Sequence, residues 1–155
     1  MIIRQARGSD LGPLSTRLRE EDVEELHIAS RGRSTLESLQ VCLDNSDVTY
    51  ISETDEGPVM FGGINVRDTL GIIWGVATPL IRKNFKTIGA LTRPVLRDWF
   101  LMFPEVRLMF NHSLTANTVH HRWLKWAGAE LFPPVPRGPN GELFTPFIIR
   151  RSTYV

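Results

Sequence analysis

Side chains able to do chemistry are few and unevenly placed in this chain of 155 residues. Three of the four histidines, His112, His120 and His121, fall close together, the fourth being His27. Imidazole titrates near neutral pH, so each is a candidate proton donor or acceptor. His120 and His121 are adjacent in a run that reads as a helix, so they point about 100° apart. They are therefore not the i, i+4 pair of a helical metal site. With one cysteine and no spaced histidine pair, no structural metal is expected. Cys42 lies on an apolar stripe with Leu36, Leu39 and Leu43. That setting makes an inert, buried thiol rather than a nucleophile. A lone cysteine excludes an internal disulfide and fits a reducing compartment. Trp74, Trp99, Trp123 and Trp126 are expected in the core, since large aromatics supply much of a small domain's burial.

These residues need a scaffold, and hydrophobic periodicity supplies its outline. Met1 to Ala6 reads as a short strand. Ser9 or Asp10 can cap a helix with Pro13 in its first turn and a stripe of Leu11, Leu14, Leu18, Val23 and Leu26, broken near Leu18 to Asp22. The acidic run Arg19-Glu20-Glu21-Asp22 with Glu24-Glu25 reads as a solvated helix face. A loop at Ser30 to Ser34 precedes a second helix, capped by Ser34 or Thr35. Val48 to Glu53, Val59 to Val66 and Leu70 to Thr78 form a meander of strands, divided by Asp55-Glu56-Gly57-Pro58 and Arg67-Asp68-Thr69. Gly62-Gly63 signals a bulge or a close approach of another backbone. A basic segment, Thr78 to Ala90, leads into a helix that ends before Pro104. Pro94 would be harmless in that helix's first turn and disruptive further in. Val106 to Phe110 is a buried strand, and Asn111 to Asn117 a polar switch suited to a cleft. The next helix carries Val119, Trp123, Trp126 and Ala127 on one side, and Gly128 ends it. Ala129 to Phe132 is a strand, Pro133 to Gly141 a stiff loop with a solvated Arg137, and Leu143 to Arg150 the last strand.

The order is β-α-α-β-β-β-α-β-α-β-β. This implies a single α/β (α+β) domain over residues 1–155, with a mixed, mainly antiparallel sheet of six to seven strands and helices on both faces. Composition is that of a globular protein, at 42% hydrophobic and 23% charged. A net charge of +1 argues against broad nucleic-acid binding, which needs a concentrated basic face. No apolar run approaches the roughly 18 residues of a membrane span. The segment MIIRQARGSD lacks a signal-peptide core, so a cytoplasmic location is expected.

The order of elements resembles the GCN5-related N-acetyltransferase (GNAT) superfamily along nearly the whole chain. Its sharpest local match is the run Asn117, His120, Leu124 and Gly128-Ala129, where members often have Asn, a small residue, Tyr and Gly-Phe. The phrase NTVHHRWLKWAGAELF is similar in particular to GNAT-like proteins of podovirus-type tailed phages, associated with the virion interior or with assembly. The resemblance implies acetyl-CoA or another acyl-CoA as co-substrate, and an amine, on a small molecule or a protein, as acceptor. It places the pantetheine arm beside Val76, Ala77 and Thr78, with Asn117 at the cofactor wall. It places the pyrophosphate on a loop in one of two registers. Arg82 to Thr87 puts Phe85 and Thr87 where small residues belong. Lys86 to Leu91 is preferred because it keeps Gly89, followed by Ala90. Arg82, Lys83 and Lys86 would attract phosphates in either register. Leu124 stands where many members keep the tyrosine that protonates the thiolate, so His112 and His120 become the candidate catalytic groups. The third meander strand lacks the usual carboxylate. Asp68, Glu53 and His112 remain as bases acting through a bridging water. Two readings result: an acyl-CoA-dependent N-acyltransferase, or a non-catalytic GNAT-like interaction protein of a phage particle or its assembly, found in the virion or host cytoplasm with virion or host partners.

Overall fold

A computed structural model describes residues 1–155. Eight strands form one sheet in the order β1-β2-β3-β4-β5-β8-β6, with β7 also paired to β8. The strands are β1 (Ile2–Gln5), β2 (Val48–Thr54), β3 (Gly57–Arg67), β4 (Leu70–Ala77), β5 (Leu108–Leu114), β6 (Glu130–Leu131), β7 (Val135–Pro136) and β8 (Leu143–Arg150). The helices are α1 (Leu11–Ser15), α2 (Glu20–Ala29), α3 (Thr35–Asn45), α4 (Ile81–Met102) and α5 (Thr118–Trp126). The sheet is mixed as expected: β1–β2, β2–β3, β5–β8 and β6–β8 are antiparallel, and β4–β5 is parallel. It has more strands than expected, because Val135–Pro136 pairs with β8 inside the segment read as a loop. No helix is long and apolar enough to cross a membrane.

Two compact units make up the chain, residues 1–65 with 74–85, and residues 66–73 with 86–155. In the first, Leu11, Leu14, Leu18, Leu39, Ile51, Phe61 and Val76 form one buried cluster. Trp74 packs edge-on against Phe61 and donates its indole N–H to Ser46 Oγ at 2.8 Å. Ser34 caps α3 by accepting the Glu37 N–H. The glycine pair in β3 marks close backbone approach. A Cβ on Gly62 would lie 2.8 Å from the Trp74 carbonyl oxygen, and one on Gly63 2.7 Å from that of Val48. The register shift falls elsewhere, at Ser52–Glu53.

In the second unit Leu96, Trp99, Phe100, Val106, Met109, Phe147 and Ile149 are buried. Helix α4 starts earlier than Pro94 would suggest and carries that proline in its interior. Proline has no N–H, so the Ala90 carbonyl loses its helical donor. The helix ends where Arg151 Nη1 donates to the carbonyls of Phe100 and Val106 at 2.8 and 3.2 Å. Helix α5 buries Leu124 and Ala127, while Val119 and Trp126 are half-exposed, so the stripe expected from Val119 and Trp126 is corrected. Gly128, at φ +86°, ends α5 in the left-handed region, and the following Ala129 N–H returns to the Leu124 carbonyl.

Candidate functional site

The last residues of β4 and the first turn of α4 make one candidate region. Backbone N–H and C=O groups alternate between the two edges of a strand. The Thr78 N–H donates to the Val59 carbonyl of β3 at 3.0 Å. By alternation Val76 and Thr78 face β3, and Ile73, Gly75 and Ala77 face the opposite edge. That edge pairs with β5 only from Leu70 to Ile72, opposite Leu108 to Phe110. Beyond it, the Ile73 carbonyl accepts Asn111 Nδ2 at 2.7 Å. Ala77 is occupied on both sides. Its carbonyl accepts the Arg19 N–H, and its N–H donates to Asp22 Oδ2, each at 2.9 Å. Of the three residues expected beside a cofactor arm, Ala77 alone turns its backbone to this edge.

Thr78 is buried and joins strand to helix. Its Oγ1 donates to the Pro58 carbonyl at 2.7 Å and accepts the Leu80 N–H at 3.3 Å. The Ile81 and Arg82 N–H groups bond back to the carbonyls of Thr78 and Pro79. Arg82, Lys83, Lys86, Thr87 and Ala90 are exposed. Lys83 Nζ lies 3.0 Å from Glu56 Oε2, a solvated pair. Both proposed loop registers lie inside α4, which corrects the expectation of a loop. In the Lys86 to Leu91 register the N–H groups bond within the helix and are unavailable to a phosphate, whereas Arg82 to Thr87 begins in the first turn of α4, where N–H groups lack intrahelical partners. Gly89 has a packing role there: its carbonyl accepts Trp126 Nε1 at 3.0 Å, and a Cβ would meet that nitrogen at 3.4 Å. Arg93 completes the clamp, donating to the Trp126 carbonyl at 2.9 Å and lying 5.5 Å from its ring centre.

The β5–α5 connection is the second region. Residues 111–114, read as a polar switch, continue β5 in unbroken register with β8. Besides its bond to Ile73, Asn111 accepts the His112 N–H on Oδ1 at 2.7 Å. Its amide thus serves as a short piece of strand where strand pairing has stopped. Ser113 is buried, and its Oγ lies 3.2 Å from His120 Nδ1. His120 also lies 5.9 Å from the Trp123 ring, centre to centre. Burial and the nearby Arg137 charge hold His112 below the usual histidine range, which favours its neutral form. Successive strand residues point to opposite faces, so His112 and Ser113 diverge and the two candidate histidines have different surroundings. Asn117 is 2% exposed; its carbonyl accepts the His121 N–H, and its side chain does not cap the helix. Leu124 is 1% exposed and belongs to the packed interior.

The carboxylates expected as bases sit elsewhere. Glu53 accepts Arg4 Nε at 2.9 Å, and Asp68 occupies the turn at the start of β4, away from Thr78. The carboxylate at the end of β4 is Asp22, read from sequence as part of a solvated face but only 2% exposed. Within α2, Asp22 lies one turn before the partly buried Leu26 and so shares its inward side. Cys42 is partly buried, and burial pushes its thiol up to about 11, away from thiolate chemistry.

No family model matches the chain, and no curated protein matches it by sequence. Solved structures do share its fold. The aminoglycoside acetyltransferase AAC(6')-Ib in complex with coenzyme A and kanamycin is 19% identical over 98% of this chain and 95% of that one, with a TM-score of 0.69. A mutant of the spermidine N-acetyltransferase SpeG from Vibrio cholerae is 14% identical over 100% and 98%, with a TM-score of 0.73. A GNAT-family acetyltransferase from Bacillus anthracis is 13% identical over 97% and 94%, with a TM-score of 0.71. At these identities the likeness establishes the GNAT fold.

Proposed function

We propose that the chain is a GNAT-like acyltransferase that takes acetyl-CoA, or another acyl-CoA, and modifies an amine. The observation that carries this reading is the early end of the β4–β5 pairing. After Ile72 and Phe110 the strands no longer pair, and β4 runs on through a turn to the start of α4, which bears Arg82 and Lys83, with Lys86 about one turn beyond Arg82. A strand edge offers N–H and C=O groups to an amide-bearing arm, and the cations favour its phosphates. Thr87 and Ala90 are exposed on the same helix, whereas Gly89 serves Trp126. In this proposal Ser113 orients His120 as the proton donor to the leaving thiolate, and neutral His112 is the alternative base. Asn117 shapes the start of α5 from the interior. Positioning and backbone donors supply the remainder of the catalysis. Glu20 and Glu21, exposed in the first turn of α2, suit a cationic amine acceptor.

The test is calorimetric titration with acetyl-CoA, followed by thiol release over an amine panel that includes spermidine and kanamycin. Saturable binding with turnover of at least one amine supports the proposal. No binding at millimolar acetyl-CoA overturns it.

Leu124 favours a second reading, a non-catalytic GNAT-like interaction protein such as one of a phage particle or its assembly. Its buried side chain has no proton to give where the resembling superfamily often keeps a tyrosine. Binding of acetyl-CoA without turnover of any amine would favour that reading.

A further inference from the structure

The end of the β4 edge is already filled by the protein itself. Arg19 is the residue before α2, and its extended conformation (φ −57°, ψ 143°) presents its N–H to the Ala77 carbonyl. One helical turn on, the Asp22 carboxylate takes the Ala77 N–H. The two bonds copy what a neighbouring strand would offer. The arrangement is braced: the Asp22 and Val23 N–H groups return to the Arg19 carbonyl at 3.1 and 3.0 Å, and Arg19 Nη1 lies 3.5 Å from Asp22 Oδ2. Both side chains are about nine-tenths or more buried. At the other end of the edge Asn111 takes the Ile73 carbonyl. By alternation Gly75 is the residue left between them with its N–H and C=O on that edge.

We propose that Arg19 and Asp22 are positioning residues that compete with the acyl-CoA arm for the Ala77 backbone. The inference rests on the acyl-CoA reading above. A ligand that extends past Gly75 must displace the Asp22 carboxylate and the Arg19 N–H, or stop short of them. The acidic first turn of α2 thereby sets how far along β4 the arm reaches. A charge-assisted hydrogen bond is stronger than the neutral bond an amide-bearing arm would put in its place.

The test compares acetyl-CoA affinity by calorimetry in the full-length protein and in Asp22→Ala, Asp22→Asn and Arg19→Ala, with amide exchange at Ala77 followed by NMR. Asp22→Ala frees the Ala77 N–H, so its exchange should accelerate and acetyl-CoA should bind about tenfold tighter. Asp22→Asn keeps a neutral acceptor, so its gain should be smaller, and it serves alone if the alanine variant does not fold. Arg19→Ala retains the backbone N–H and should leave the Ala77 carbonyl bond in place, so its gain should fall below that of Asp22→Ala. Unchanged or weaker binding in the folded Asp22 variants, with the wild type binding normally, overturns the competition and leaves the acyl-CoA reading standing. No binding by any folded variant, with Ala77 exchange accelerated, overturns both.

Discussion

Two of the strand-to-helix connections, from β4 to α4 through residues 78–80 and from β5 to α5 through residues 115–117, make a direct comparison. The two solve the same problem differently. At the first, the Thr78 side chain accepts the Leu80 N–H in the turn before the helix, and exposed cations follow. At the second, Asn117 is buried without capping, and the polar groups Asn111, Ser113 and His120 are bonded to their surroundings. The first connection leaves its cations exposed to solvent. The second is a packed and hydrogen-bonded element whose job is to hold geometry. On the proposed acyl-CoA reading, a phosphate-binding role falls to the first and an orienting role to the second.

The largest expected effect comes from the interior of α5. Leu124→Ala should cost about 2–5 kcal/mol in urea denaturation, as other buried leucines do. A loss under about 0.5 kcal/mol would mark it as a surface position. Next, Asn111→Ala leaves the Ile73 carbonyl and the His112 N–H without their partner, for about 1–3 kcal/mol. Thr78→Ala removes the hydroxyl bonds to the Pro58 carbonyl and the Leu80 N–H, for about 1 kcal/mol. If the threonine change costs more than the asparagine change, the contrast between the two connections is reversed.

A smaller stability effect and a larger binding effect are expected at α4. Arg82→Ala with Lys86→Ala should stay within about 0.5 kcal/mol of wild-type stability, since both side chains are exposed. The same pair should weaken acetyl-CoA binding and flatten its salt dependence. Unchanged affinity would remove the first connection from the phosphate site.

The smallest effect concerns His112. Its folded pKa is depressed, so the unfolded chain binds the proton more readily. The stability from keeping His112 neutral is full above about pH 6.5, the unfolded value, and declines as pH falls toward the folded pKa. His112→Gln should flatten this part of the stability–pH curve, measured by denaturation between pH 5 and 8. An unaltered slope would show that His112 does not contribute to it.

Much of the architecture is legible in the sequence because it follows from local rules. Strand β8 stands out as Leu143 to Arg150, Ser34 as a cap, and Gly128 as a helix end. The start of α4 was harder to read, because Gly89 and Pro94 look like breakers in isolation. Trp126 against Gly89 supplies a tertiary reason for the glycine, and no local pattern reveals it. The continuation of β5 through Asn111 to Ser113 was masked for a similar reason. Polar side chains signal a loop until their partners, Ile73 and His120, are known. Asp22 is hidden within a charged run, and only its place one turn before Leu26 on α2 sets it apart. Chemistry is the less legible layer, since it depends on pairs such as Asp22–Ala77 and Ser113–His120 that folding creates.

The most direct test of the central claim is thermal unfolding of the wild-type protein with and without saturating acetyl-CoA. Ligand at 100 times its dissociation constant should stabilise the fold by about 2.7 kcal/mol. A midpoint rise of several degrees, lost in the Arg82→Ala/Lys86→Ala protein, is the predicted result. An unmoved midpoint at millimolar acetyl-CoA would contradict the account.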